Sequence, residues 1–531
     1  MSLTEIEYDK VNAFSNLLID YNLNNSHFSD LISNFPTLDN LNKQISFKSK
    51  NYNNQFRESL VKEICNQYKG IKLSEIQKQN INKLLEKDTY TITTGHQLNL
   101  LTGPLYFIYK IISTINLSET LKKNYTEFDF VPIYWMASED HDFDEINNFS
   151  FQGSKFEWSS NQTGVVGEFK LDSIDNVLSE FEKFVSDFPY GNEIIKIFRE
   201  CYLNSNDLSN ATRKLVNILF AKYGLIIIDA NNKNLKSLFR DLIKKELNEK
   251  IIFNKSKKSI KRLNELKYNL QANPREINLF YIHDKKRERI IEKGNLFQTS
   301  NGSKKWNLEE IQDDVNLNPE KFSPNVLFRP IFQEFILPNI CYVGGPAEVA
   351  YWLELKSVFE SLNLTFPLIL NRNSALLLEK KQIDKLNKLN VSIEEIFLPK
   401  KQLKENLVRK YSKLKLDFTN LKQQLNNQFS ELKDKAIHTD KSFIGALNAQ
   451  EQKQINGLKM LEKRLLKSEQ RIHQDKINKV LEIRDKLFPG EKPQERISNF
   501  SEFYKIHGPN MIDKIKNNLV PLNQKFSIIE I

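Results

Sequence analysis

The 531-residue chain is poor in cysteine. Three occur, Cys65, Cys201 and Cys341, and no two have the spacing of a metal-ligand pair or a redox motif. An odd, scattered set excludes a disulfide framework and a thiolate zinc site, and it fits a reducing compartment. Long apolar runs are missing as well. No stretch of about 18 apolar residues occurs, so no membrane-spanning helix is expected. The opening MSLTEIEYDK lacks the basic-then-apolar pattern of a secretion signal, and a cytoplasmic location is expected by elimination. With 16 glycines and 16 prolines, collagenous or low-complexity character is excluded. GxxxxGK[ST], HExxH, GxSxG and paired CxxC strings are all absent. P-loop hydrolysis, zincin proteolysis and α/β-hydrolase chemistry therefore lack their signatures.

What is present describes a folded chain of more than one part. Aromatic residues make up 11% and hydrophobic residues 40%, enough to build cores. The length implies two or three domains or large insertions. The net charge of +10 is concentrated: residues 380–486 hold 25 Lys and Arg against 14 Asp and Glu, and the rest is close to neutral. A nucleic-acid or scaffold role, were there one, would belong to that basic segment.

Hydrophobic patterning gives an α/β reading. Residues 1–88 read as mostly helical. TYTITT (89–94) is a β-branched run that ends at Gly95. Gly103-Pro104 then precedes a helical pattern through Ile108, Ile111, Ile112 and Ile115. Further strands are expected in FDFVPIYWM, in LIIIDA and before Gly344-Gly345-Pro346, with PLILNRNSALLL as one more around a polar turn at Asn371–Ser374. Strand, glycine turn, helix is the unit of a parallel sheet. The boundaries expected are a Rossmann-like parallel-sheet core in 1–147, 221–234 and 321–390, and two connecting insertions, 148–220 and 235–320. A long antiparallel α-helical coiled-coil hairpin follows in 391–487, then a return to the core in 488–531. The hairpin rests on a 3–4 seam of Leu407, Tyr411, Leu414, Phe418, Leu421, Leu425 and Leu432, a polar break around His438–Gly445, and a second arm through Leu458, Leu461, Leu465 and Ile472. Charge on its outer face has dimerisation as its ordinary explanation, so nucleic acid is not the expected partner.

Three segments at strand ends carry chemistry-bearing residues, and in open α/β sheets ligands bind there. In the first, Gly95, His96, Gln97, Thr102, Gly103 and Lys110 suit an anion site built from turn amides and a helix N-terminus. A tight turn with an incidental histidine is the plainer account. In the second, Glu139, Asp140, His141 and Asp142 follow the apolar VPIYWM directly. They offer a general base, an amine-binding anion or a divalent-cation site, against a solvated acidic turn. In the third, Gly344-Gly345 permits close backbone approach, with Glu348, Tyr351 and Trp352 on the helix beyond, where the aromatics could equally pack. Asn325, Arg329, Arg372, Asn373 and Ser374 are supporting candidates, the arginines for carboxylate or phosphate. His27, His283, His438, His473 and His507 sit in no motif.

TGHQLNLLTGPLYFIYK, VPIYWMASEDHDFDEIN, SPNVLFRPIFQEFILP, YVGGPAEVAYWLEL, LNRNSA and the tail LFPGEKPQERISNF occur in an order that resembles the bacillithiol-biosynthesis cysteine-adding family, BshC, over essentially the whole chain. The resemblance implies a core like that of class I aminoacyl-tRNA synthetases and a homodimer through the coiled coil. It also implies a ligase that adds cysteine to the amino group of glucosaminyl-malate, the last step of bacillithiol synthesis, with ATP as the expected activator. By this resemblance Gly95-His96-Gln97 to Gly103 matches the first glycine motif, with Gly-His-Gln departing from the expected Gly-Gln-Gln. Glu139–Asp142 matches the acidic motif, Gly344, Gly345 and Glu348 the third, and Arg372-Asn373-Ser374 the fourth. The roles it suggests are anion binding by the amides near Gly95 and Gly103, amine binding by Asp140 or Asp142, proton transfer by His141, and carboxylate binding by Arg329 and Arg372. Rival readings are a synthetase-like or nucleotidyl-transferring enzyme with another amine acceptor, and a nucleic-acid-binding or scaffold protein.

Overall fold

The computed structural model describes residues 4–437 and 441–531. Its centre is a parallel sheet of β1 (Thr89–His96), β2 (Asp129–Met136), β3 (Ile226–Asp229), β4 (Asn339–Gly344) and β5 (Leu368–Asn371). The order across the sheet is β5-β4-β1-β2-β3, and every neighbouring pair is parallel. Strands buried on both faces need apolar residues at every position, and Ile226, Ile227 and Ile228 at 0% exposure show why LIIIDA reads as a continuous run. From β1 the chain builds outward through β2 and β3 on one side, then returns to add β4 and β5 on the other. That reversal leaves a crevice between the carboxyl ends of β1 and β4. Helix α1 (Tyr106–Asn124) is buried almost all round, including Lys110.

Between β2 and β3 lie a short hairpin, Asn148–Phe151 with Ser154–Glu157, and the helices Ile174–Val185, Gly191–Leu203 and Leu208–Phe220. Between β3 and β4 come three helices over 233–265 and then a five-stranded antiparallel sheet. In that sheet Leu279–His283 pairs with Lys286–Lys293 on one side and with Phe322–Pro324 on the other. Helices α2 (Arg329–Ile336) and α3 (Pro346–Leu353) flank β4. The segment PLILNRNSALLL is not one strand. Its first half is β5, while Ala375–Leu378 joins a separate sheet with Thr4–Ile6 and Phe526–Glu530.

Two compact units result. One holds the chain up to Asp9, Ala13–Leu377 and Lys492–Ile531; the other holds Lys10–Asn12 and Leu378–Glu491. In the second unit the expected first arm is broken. Helix α4 (Lys400–Tyr411) stops at Ser412, and α5 (Thr419–Ala436) starts after an extended stretch. Helices α6 (Lys441–Ile472) and α7 (Gln474–Leu487) form the return. Residues 438–440, with His438, lie outside the described residues; Gly445 is inside α6. Helices α5 and α6 pack through Phe429, Ala436 and Leu447 and are crossed by Lys422–Glu462 and Lys433–Glu451 ion pairs. A pair of helices buries one face only, so the seam residues Leu421, Leu432, Leu461 and Ile472 stay exposed, and Leu414, in the non-helical stretch between α4 and α5, is exposed as well. Among the described residues no helix is long and apolar enough to cross a membrane.

The C-terminal return is tied to the end of β5 by a buried ion pair. Arg372 Nη1 and Nη2 donate to the Glu495 carboxylate at 3.0 and 2.8 Å, both side chains being at most 2% exposed. Removing one partner strands a buried charge. Arg372→Met is expected to cost about 3–5 kcal/mol in urea unfolding, while Arg372→Met with Glu495→Leu recovers most of that loss. A single variant as stable as the parent would show that the pair does not hold this junction.

Candidate active site

The two glycine segments face each other across the crevice. The missing Cβ of Gly95 leaves room for Tyr342, whose Oη would stand 3.0 Å from it. Lys110 Nζ donates to the Gly95 carbonyl and pairs with Glu348. Glu348 also accepts from Tyr342 Oη and, at 2.7 Å, from the Gly345 amide. Burial pushes the Lys110 ammonium down, and Glu348 offsets part of that. The network joins β1 and α1 to β4 and α3, and it takes Lys110 out of the expected anion site.

The other parts of that expected site are also occupied. Leu101, Thr102 and Gly103 all have positive φ, at 49°, 71° and 64°. A Cβ on Gly103 would lie 2.7 Å from Asn99 Cβ, so glycine is required there. The Thr102 and Gly103 amides donate to Asn99 O and Leu100 O, and the Leu105 amide to Ser498 O. Asn499 Nδ2 donates to Leu101 O and Gly103 O. The turn therefore does not present these amides to an anion, which corrects the expectation. Among the described residues Thr102 Oγ1, Asn99 Oδ1 and His96 Nε2 are buried without a partner. His96 packs against Tyr106 and Phe107. Burial, then Lys110 and Arg372, push its pKa well below the usual value, so it is neutral and supplies no charge.

The acidic run splits at its first residue. Glu139 turns inward and pairs with the buried Lys236, a structural role in place of the catalytic one expected. Asp140 faces the crevice. Its Oδ2 accepts from Gln97 Nε2 at 3.0 Å and its Oδ1 from the His141 amide at 3.0 Å, with Arg287 Nη1 3.9 Å away. Burial alone would raise the Asp140 pKa, but Arg329, the Gln97 amide and Arg287 together outweigh it and hold the carboxyl below the usual aspartate value. His141 is 46% exposed on its side chain and accepts at Nδ1 from Arg287 Nη1, 3.0 Å away. Burial and Arg287 lower its pKa. Asp142 is exposed. The four residues do not converge, and among the described residues no group of three or more His, Cys, Asp or Glu is placed to hold a metal ion.

Several supporting candidates are structural. Asn325 accepts from the amides of Leu327 and Phe328 and caps the approach to α2. Arg372 is committed to Glu495, which corrects its carboxylate-binding role; Asn373 bonds Ser113 and Val520, and Ser374 bonds Arg372 and Glu495. Trp352 is fully buried against Tyr342, Phe359 and Phe366. Arg329 is different: among the described residues no carboxylate lies within ion-pair distance of it, yet its charge acts on Asp140 and Arg287. Arg287 was not singled out from the sequence, because nothing marks it within Lys286-Arg287-Glu288-Arg289. Burial, then Arg329, push its pKa down to about 10.

The split of the acidic run has a direct consequence. Glu139→Gln leaves Lys236 buried and unpaired and is expected to cost about 3 kcal/mol or more, whereas Asp140→Asn costs about 1 kcal/mol or less, both read by urea unfolding. His96 adds a pH effect. Its folded pKa is depressed, so the unfolded chain takes up that proton first, and stability falls as pH drops below about 6.5. His96→Gln should flatten the stability curve between about pH 5 and 6.5; an unchanged slope would show that His96 titrates normally.

Comparison with known proteins agrees with this architecture. The profile described as bacillithiol biosynthesis BshC, N-terminal Rossmann-like domain, matches residues 1–373, and that of the BshC C-terminal coiled-coil domain matches 375–531. Relatives named "Putative cysteine ligase BshC" include one from Flavobacterium johnsoniae, 45% identical over 99% of both chains. Others are from Flavobacterium psychrophilum, 46% identical over 99% of both, and Christiangramia forsetii, 45% identical over 99% of this chain and 98% of the relative. A parallel-sheet core with this crevice, a helical hairpin and full-length identity of this order place the chain in the BshC family of bacillithiol biosynthesis.

Proposed function

We propose that this protein joins the carboxyl carbon of cysteine to the amino group of glucosaminyl-malate, the last step of bacillithiol synthesis. The relatives' shared name supports the cysteine-ligase part. The observation that carries the acceptor is the crevice rim, where the ionised Asp140 stands beside the guanidinium groups of Arg287 and Arg329. An anion beside the partly exposed Arg329 suits an acceptor that bears an amine and a malyl carboxylate, and the buried Arg287 adds charge from behind. Asp140 holds the amine. Its lowered pKa makes it a poor proton acceptor, so holding is favoured over general-base work. Arg329, without a protein carboxylate, is the group for a substrate carboxylate.

In the reaction the amine nitrogen forms a bond to the carboxyl carbon, one carboxyl oxygen departs and the amine loses a proton. ATP is the proposed activator, and when bound it supplies a better leaving group for that oxygen. The turn at Thr102–Leu105 does not fit a triphosphate, because its amides are satisfied within the protein. A cytoplasmic location and a homodimer through the hairpin belong to the same proposal, supported by the free thiols of Cys65, Cys201 and Cys341 and by the exposed seam leucines.

The test is ligation by the purified full chain, with and without ATP, read by mass spectrometry as cysteinyl-glucosaminyl-malate. Asp140→Asn is expected to raise KM for the sugar amine at least about tenfold, some 1.4 kcal/mol, and to leave KM for cysteine within about twofold. No product from the parent chain, or unchanged bacillithiol in cells lacking it, would overturn the reading.

A further inference from the structure

We propose that Arg287 is a positioning residue that sets the tautomer of His141, so that His141 offers its Nε2–H to a substrate carboxyl oxygen. A guanidinium has five N–H donors and no acceptor. Arg287 Nη1 lies 3.0 Å from His141 Nδ1, so Nδ1 must be the lone-pair nitrogen and the neutral ring carries its proton on Nε2. The arginine cannot swing away cheaply. Its Nε donates to Ser323 Oγ and its Nη2 to Pro324 O, both at 2.9 Å, and its plane lies over Phe280 at 3.9 Å. Phe280 also touches the His141 ring, with centroids 5.6 Å apart.

The competing arrangement is visible in the same place. Asp140 Oδ1 stands 3.7 Å from His141 Nδ1, and a histidine–aspartate dyad there would put the proton on Nδ1 and make Nε2 a base. Arg287 occupies that nitrogen, while Asp140 Oδ1 accepts from the His141 amide. The charged groups acting on the ring are Arg287, Asp140, Asp142 and Arg289. With Nδ1 taken and Nε2 protonated, His141 acts as a neutral donor that polarises a carboxyl group, and no proton leaves it. Arg287 arrives on the antiparallel sheet inserted between β3 and β4, so that insertion supplies part of the site.

The carboxyl-oxygen role rests on the ligase reading, and the tautomer does not. Long-range proton–nitrogen spectra of the full chain labelled with ¹⁵N-histidine report each tautomer, and the His141 signals are those missing from His141→Gln. The parent is expected to show Nε2–H. Arg287→Met is expected to shift His141 to Nδ1–H and to lower kcat/KM about 10²-fold. Arg287→Lys, which can still donate, should stay within about tenfold of the parent. An Nδ1–H signal in the parent overturns the proposal, and this needs no variant to fold. An active parent matched by an equally active Arg287→Met also overturns it. A parent that makes no product sinks the ligase reading and the carboxyl-oxygen role, while the spectrum still decides the tautomer.

Discussion

Lys110 lies beneath the crevice between β1 and β4, and an ammonium buried there costs several kcal/mol unless it is paired and fully hydrogen-bonded. Glu348 and the Gly95 carbonyl meet that demand, and Tyr342 and the Gly345 amide meet the carboxylate's. The elements on either side of the strand reversal are thereby held in one register. The pair also decides what the crevice floor can bind. Lys110 is not available to a phosphate, burial and then its charge keep His96 neutral, and the cation open to a ligand is Arg329, on α2.

Two other pairs follow the same logic. Glu139–Lys236 fixes the start of the acidic run, and Arg372–Glu495 fixes the end of β5. All three involve residues that the sequence marks as binding candidates, because a charged residue at a strand end looks the same whether it faces a ligand or an ion partner. The partner decides, and it lies about 100 residues away or more: Glu348 for Lys110, Lys236 for Glu139, Glu495 for Arg372. Distances along the chain do not reveal such pairings. The glycine turn was misread as an anion site for a related reason. Its amides are satisfied partly by Ser498 from the C-terminal return, which no local pattern connects to Gly103.

The fold was more legible. The strand runs TYTITT and LIIIDA, the helix after Gly103-Pro104 and the hairpin's change of composition are local signals, and hydrophobic periodicity reports local structure directly. What periodicity does not carry is sheet membership. Leu368–Asn371 and Ala375–Leu378 have the same apolar character, yet they belong to different sheets because the buried Arg372 turn redirects the chain. Nor does a 3–4 seam guarantee a continuous helix. Leu414 keeps the spacing while the backbone around it is not helical, and it stays exposed.

The rim's charge balance bears on the proposed chemistry in a way no single residue does. An amine attacks only as the free base, and an ordinary ammonium holds its proton at neutral pH. Asp140 alone would tighten that hold. Two unit charges about 4 Å apart interact by about 4 kcal/mol at an effective dielectric of 20, so the sign of the surplus charge matters. The charged groups acting on Asp140 itself, Arg329 and Arg287, are both positive. Burial first, and Arg329 after it, lower the pKa of Arg287, and on the proposed reading the same guanidinium charges would push a neighbouring ammonium toward the neutral nucleophile. In the proposed reaction Asp140 would orient the amine, and the guanidinium charges beside it would weaken its hold on the proton. On that proposed reading, removing Arg329 would change both the ionisation of the bound amine and the binding of a carboxylate, while the buried Arg287 on the inserted sheet would act through electrostatics and through His141.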